Sequence, residues 1–200
     1  MPSALKVAEI KDLNNNILLN NGTLTNNVQF PAGHVIQTVS RNTPNATSTT
    51  STSYASTDVY HSITTKVANS KILCMINTLT GGDDRSPRVK LTRTISSTTF
   101  DIGTTTGLNE SNATYNQTIV TMLSDARLSS VRHGTNMHLS YLDSPSSSTG
   151  TSIEYRIFLK GADASGTVWC GRSGFSLNSD DDIYILSSVT LMEIAPWDTK

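Results

Sequence analysis

Two hundred residues with a net charge of −1, acidic and basic groups interspersed, contain no basic stripe of the kind that neutralises a nucleic-acid backbone. No apolar run is long enough to span a bilayer. The N-terminus, MPSALKVAEIKDL, lacks the apolar core of a signal peptide, which argues against classical secretion. One domain of ordinary size, or one domain with a short arm, fits what is left.

Apolar residues make up 36% of the chain and charged residues 16%, both low, and Ser with Thr fills about a quarter. Threonine suits strands while Ser and Asn suit turns, so this bias predicts an all-β protein rich in loops. A disordered chain of similar polarity would carry a high net charge and few β-branched residues. Here the apolar residues gather into strand-length runs, and the chain is read as folded. Cys74 and Cys170 each fall inside a predicted strand. A disulfide between them is geometrically open, but buried free thiols acting as small hydrophobes are the preferred reading.

Residues 1–30 differ from the rest. Apolar positions Val7, Ile10 and Leu13, then Ile17 to Leu19, then Leu24, Val28 and Phe30 are separated by Asn-rich turns. Ala4 to Leu13 has the spacing of a short amphipathic helix, and helix and strand both stay open there. Asn21-Gly22 is a tight-turn signal. The segment has too few apolar residues for a core of its own, so it is read as an attachment arm that docks elsewhere.

Phe30-Pro31-Ala32-Gly33 breaks the chain, and His34–Val39 opens a domain expected to cover residues 31–200. Asn42 to Ser53 is low-complexity Thr, Ser and Asn, either a long loop or an exposed edge strand. Strands are predicted over Tyr54–Lys66 and over Lys71–Leu79, the latter apolar on both faces and so central. Gly81-Gly82-Asp83-Asp84 reads as a turn. In Arg88–Ile95 the apolar parity of Val89, Leu91 and Ile95 is interrupted by Arg93. Ser96–Tyr115 reads as a long loop with at most a short strand. Strands follow at Thr118–Leu123, Met137–Leu142, Ser152–Lys160, Thr167–Cys170 and Phe175–Leu177. Ile153, Tyr155, Ile157 and Leu159 give the clearest alternation in the chain. Near the C-terminus, Ile183–Leu186 and Val189–Met192 form a predicted strand pair, with Val189 and Leu191 on one face and Met192 and Ile194 on the other. Eight to ten short strands, no convincing helix in the body and no fixed-period repeat indicate a two-layer β-sandwich or jelly roll.

The chemistry-bearing residues form no pattern. His133 and His138 are five apart, His34 and His61 stand alone, and none has metal-ligand spacing on a strand. Asp180–Asp182 lacks an EF-hand pattern and reads as an acidic turn. Glu110 and Asp125 have no carboxylate partner that the sequence nominates. Trp169, Trp197 and Tyr115 would stack on sugars if exposed, but packing is the stronger expectation. No P-loop, dinucleotide fingerprint or nucleophile elbow occurs. The expectation is a non-enzyme without catalytic residues, cofactor or metal, and with binding residues unassigned. Loops at one end of a sandwich are the default binding surface, which nominates Gly81–Ser86 and Ser96–Tyr115.

Five phrases are more specific. Phe30–Ser40 (FPAGHVIQTVS), Ser51–Tyr54 (STSY), Asn69–Leu73 (NSKIL), Leu142–Pro145 (LDSP) and Ser188–Ala195 (SVTLMEIA) occur in this order. Together they resemble a domain of tail-fibre-like structural proteins of marine phages, cyanophages in particular. The resemblance covers most of residues 30–195, and the turn-rich segment 1–30 is similar to the family's arm. It implies a non-enzymatic virion component, assembled in the host cytoplasm, homotrimeric, with a β-sandwich head. Residues 1–30 would dock on other virion proteins, and the head would meet a host surface glycan or protein without nucleic acid or membrane insertion. A short tail fibre or receptor-binding protein is the first expectation, and a capsid fibre or decoration protein the alternative. A polysaccharide-degrading tailspike would need a long β-helix and a carboxylate pair, and neither is visible. The resemblance carries no functional residues, and Asp180–Asp182 and Pro196–Lys200 depart from its pattern.

Overall fold

The computed structural model describes residues 9–11, 13–15, 17–20, 23–24, 31–82, 87–102, 134–162, 166–173 and 184–196. Among them every regular element is a strand. In the N-terminal segment, β1 (Glu9–Lys11), β2 (Ile17–Asn20) and β3 (Thr23–Leu24) form a small antiparallel sheet with Asn20 opposite Thr23. Of the helix or strand left open over Ala4 to Leu13, Glu9–Lys11 is strand.

The body is a sandwich of two antiparallel sheets. The larger contains β4 (Val35–Thr43), β5 (Thr47–Thr49), β7 (Lys71–Gly82), β10 (Gly134–Asp143), β12 (Val168–Cys170) and β13 (Ser187–Ile194). The smaller runs in the order β6 (Ala55–Thr64), β11 (Ser152–Gly161), β8 (Pro87–Ile95), β9 (Thr98–Asp101). As its two apolar faces predict, β7 is central: β10 pairs along one edge, while β13 and then β12 share the other. Of the Asn42–Ser53 tract, Asn42-Thr43 end β4 and Thr47–Thr49 form the short edge strand β5, hydrogen-bonded to β12, while the remainder is loop.

The core lies where the inner faces meet. Ile153, Tyr155, Ile157 and Leu159 of β11 are all at most 1% exposed, as their alternation demands. They pack with Ile72, Cys74 and Ile76 of β7, Met137 and Leu139 of β10, and Val189 and Leu191 of β13. Burying each Ile or Leu contributes about 1.5–3 kcal/mol relative to exposure. Cys74 and Cys170 are both buried in this core as free thiols.

Two expectations are corrected. The described part of Ile183–Leu186 is not half of a strand pair: Tyr184 makes a single bridge to Arg172, and Leu186 is 60% exposed. The edge of β7 that this run needs is taken by β12 beyond Asn77, so the final strand begins at Ser187. Gly81 and Gly82 are buried at the end of β7 rather than in a turn. Gly81 lies opposite Gly134, where an added Cβ would stand 2.9 Å from the Leu79 side chain. The expected strands Thr118–Leu123 and Phe175–Leu177 lie outside the described residues, as do Asp83-Asp84 and most of the Ser96–Tyr115 loop.

Candidate functional site

Two crossovers join the sheets at one end of the sandwich, residues 65–70 between β6 and β7 and residues 144–151 between β10 and β11. They are tied to each other by backbone bonds: Thr65 N–H donates to Thr151 O (3.0 Å), Gly150 N–H to Thr65 O (2.8 Å) and Asn69 N–H to Ser147 O (2.8 Å). The Thr65 hydroxyl adds a bond to Ser148 O at 2.7 Å.

Two inward-pointing carboxylates hold this end in place. Glu193 shares the inner face of β13 with Val189 and Leu191 and is fully buried. Its carboxylate accepts the backbone N–H of Lys66 (2.8 Å) and of Val67 (2.9 Å), and the side-chain amide of Gln37. The charge is thus spread over donors that the turn would otherwise leave unmade. Asp143, at the end of β10, accepts Arg93 Nη1 at 2.8 Å on both oxygens, and Tyr155 Oη donates to its Oδ2 at 2.7 Å. Arg93 and Tyr155 come from the smaller sheet and Asp143 from the larger, so the cluster bolts the layers together. Burial, and after it the Asp143 carboxylate, pushes the Tyr155 phenol well above its ordinary range and the Cys74 thiol up to about 12. Both stay protonated at neutral pH, and neither is an available nucleophile.

Beside this cluster a cleft of about 360 Å³ opens between the β8–β9 hairpin and the 144–151 crossover. Arg93, Ile95, Ser96, Thr98 and Phe100 line it from the hairpin; Pro145, Ser146, Ser147, Ser148 and Thr151 line it from the crossover. The hairpin turn, Ser96-Ser97, has both residues left-handed (φ 47° and 68°), and Ser146 across the cleft is left-handed too (φ 50°). Such backbone is strained for residues with a side chain. Phe100 is 43% exposed, and the Arg93 guanidinium carbon sits 5.3 Å from its ring centre.

The described start of the Ser96–Tyr115 loop therefore borders a cleft, whereas Gly81-Gly82 are strand residues. Trp169 is 4% exposed and packs, with Arg172 5.1 Å from its ring; Trp197 and Tyr115 lie outside the described residues. His34, His61 and His138 stand apart on β4's approach, β6 and β10, and among the described residues no three His, Cys, Asp or Glu side chains gather as a metal site. His133, Glu110, Asp125 and Asp180–Asp182 lie outside the described residues. Sequence reasoning missed Glu193 and Asp143 as structural carboxylates. The signal for Glu193 was its parity with Val189 and Leu191.

No family model matches the chain, and no curated protein matches it.

Proposed function

We propose that this chain is a structural protein of a phage virion: a short tail fibre or receptor-binding protein. It attaches to the particle through residues 1–30 and presents the β-sandwich to the host surface. One observation carries the reading beyond the sequence resemblance. Four of the five family-like phrases converge on the same end of the larger sheet. The first runs into β4 and the last forms β13, and these strands pair, with Val39 opposite Leu191 and Ala195 N–H donating to His34 O at 2.8 Å. The third begins β7 and the fourth ends β10, and in register Met192, Leu73 and Leu142 form one row across three strands. Phrases far apart in sequence thus form one structural unit, which favours a shared domain over coincidence.

That row lies on the outer face of the sheet. With Val35 (46% exposed) and Leu142 (39% exposed) it makes an apolar surface suited to a neighbouring subunit in a homotrimer. A trimeric mass in light scattering is the expected result, and a monomeric mass would refute the assembly. A capsid fibre or decoration protein is the rival. Labelled antibody on intact particles separates them: label on the tail is expected, and label on the capsid shell would overturn the tail reading.

A further inference from the structure

We propose that the cleft between the β8–β9 hairpin and the 144–151 crossover binds an uncharged, hydroxyl-rich ligand, a neutral hexose unit of a surface glycan. Its biological purpose rests on the host-attachment reading; its geometry does not. Serine and threonine dominate the lining, and the one charged side chain there, Arg93, has its charge matched by Asp143 behind it. An incoming anion would meet that carboxylate as well as the guanidinium, so the electrostatics favour a neutral guest. The volume, about 360 Å³, suits a ligand of one to two sugar rings.

Two features indicate a site rather than a surface dent. Ser96 and Ser146 hold left-handed backbone on opposite walls, where Asn or Gly would be the unstrained choice for the hairpin turn. Phe100 has Arg93 against its ring and is still 43% exposed, so it is an aromatic platform braced by the guanidinium and open to a sugar face.

The test applies the full-length protein to an array of neutral hexose oligosaccharides and their uronate-bearing and sulfated counterparts. Binding is expected among the neutral members. Phe100→Ala should weaken it at least tenfold, and Ser148→Trp, at an exposed position of the wall, should abolish it. Both sites are open enough for the variants to keep the parent melting temperature, and if one misfolds the other decides. Binding confined to the charged members, neutral binding that a folded variant leaves intact, or no binding at all would each overturn the inference. Cleft-dependent binding by a protein that labels the capsid would keep the site and sink the attachment role. Tail labelling without glycan binding would do the reverse.

Discussion

Two arginines reach across the sandwich to an aspartate, each beside a tyrosine. Arg41 leaves β4 to meet Asp58 and Tyr60 of β6 at the open edge, donating to Asp58 Oδ1 at 3.3 Å and to the backbone oxygens of Asp58 and Tyr60. Its guanidinium lies 4.1 Å from the Tyr60 ring, and Arg156 lies 3.8 Å from the same ring. Arg93 leaves β8 to meet Asp143 in the interior, beside Tyr155. The side chains are 28% and 29% exposed in the edge pair, against 16% and 6% in the inner one. Residue types are the same, and water access separates them. At the edge, Asp58 is kept below the usual carboxylate range first by a hydrogen bond from Asn45, against the opposing effect of burial, with Thr43 and Arg41 adding to it. Solvent can replace much of that network. Inside, Asp143 and the Tyr155 hydroxyl are shut away from water, and Arg93 meets it only at the cleft.

The largest effect should therefore follow Asp143→Ala, which strands a half-buried guanidinium and the buried Tyr155 hydroxyl. A loss of about 3–5 kcal/mol in urea unfolding is expected. A loss below about 1 kcal/mol would show that the inner clamp is as replaceable as the edge one. Glu193→Ala comes next, because Lys66 and Val67 N–H lose the buried acceptor that holds the turn. Its cost should be about 2–3 kcal/mol, with faster amide exchange confined to residues 65–70. Asp58→Ala should cost about 1 kcal/mol or less and lose even that in high salt, as a solvated pair does.

The smallest effect is a pH dependence at the edge. His61 is lowered from 6.5 first by burial and then by the Arg41 charge. The unfolded chain therefore takes up the proton at higher pH than the folded one. Stability should fall modestly as pH drops below 6.5, and then level off once the folded imidazole is also protonated. His61→Gln should flatten that decline in melting temperature measured from pH 7.5 to 5. A second loss should appear in acid, as pH falls below the ordinary aspartate value of 3.8 and through the lowered value of Asp58.

Much of the fold was legible in the residues because strand parity is local. Ile153 to Leu159 alternate in sequence and alternate in burial, and β7 is two-faced in composition and central in space. Parity also marked the inner clamp: Arg93 sits at an apolar position of Arg88–Ile95, and no exposed strand face requires it there. What parity cannot supply is a partner. Asp143 lies 50 residues from Arg93 and looks like an ordinary turn aspartate in Leu142–Pro145. Only the placement of β10 against β7, opposite β8 and β11, brings the carboxylate to the guanidinium. The cleft was half legible in the same way, since Ser96 onward was nominated as a loop surface, but its other wall comes from a distant crossover.

From sequence alone come the all-β class, the strand parities and the central place of β7. These follow from short-range patterning, which each segment carries whatever its neighbours do. Tertiary structure decided which edge of β7 goes to β12, and with it that Tyr184–Leu186 has only a single bridge, to Arg172. It decided too that Glu193 turns inward to hold a crossover, and that two serine-bearing loops face each other across a cleft. Those outcomes depend on competition for hydrogen-bonding edges and on access to water, and neither is a property of any one segment.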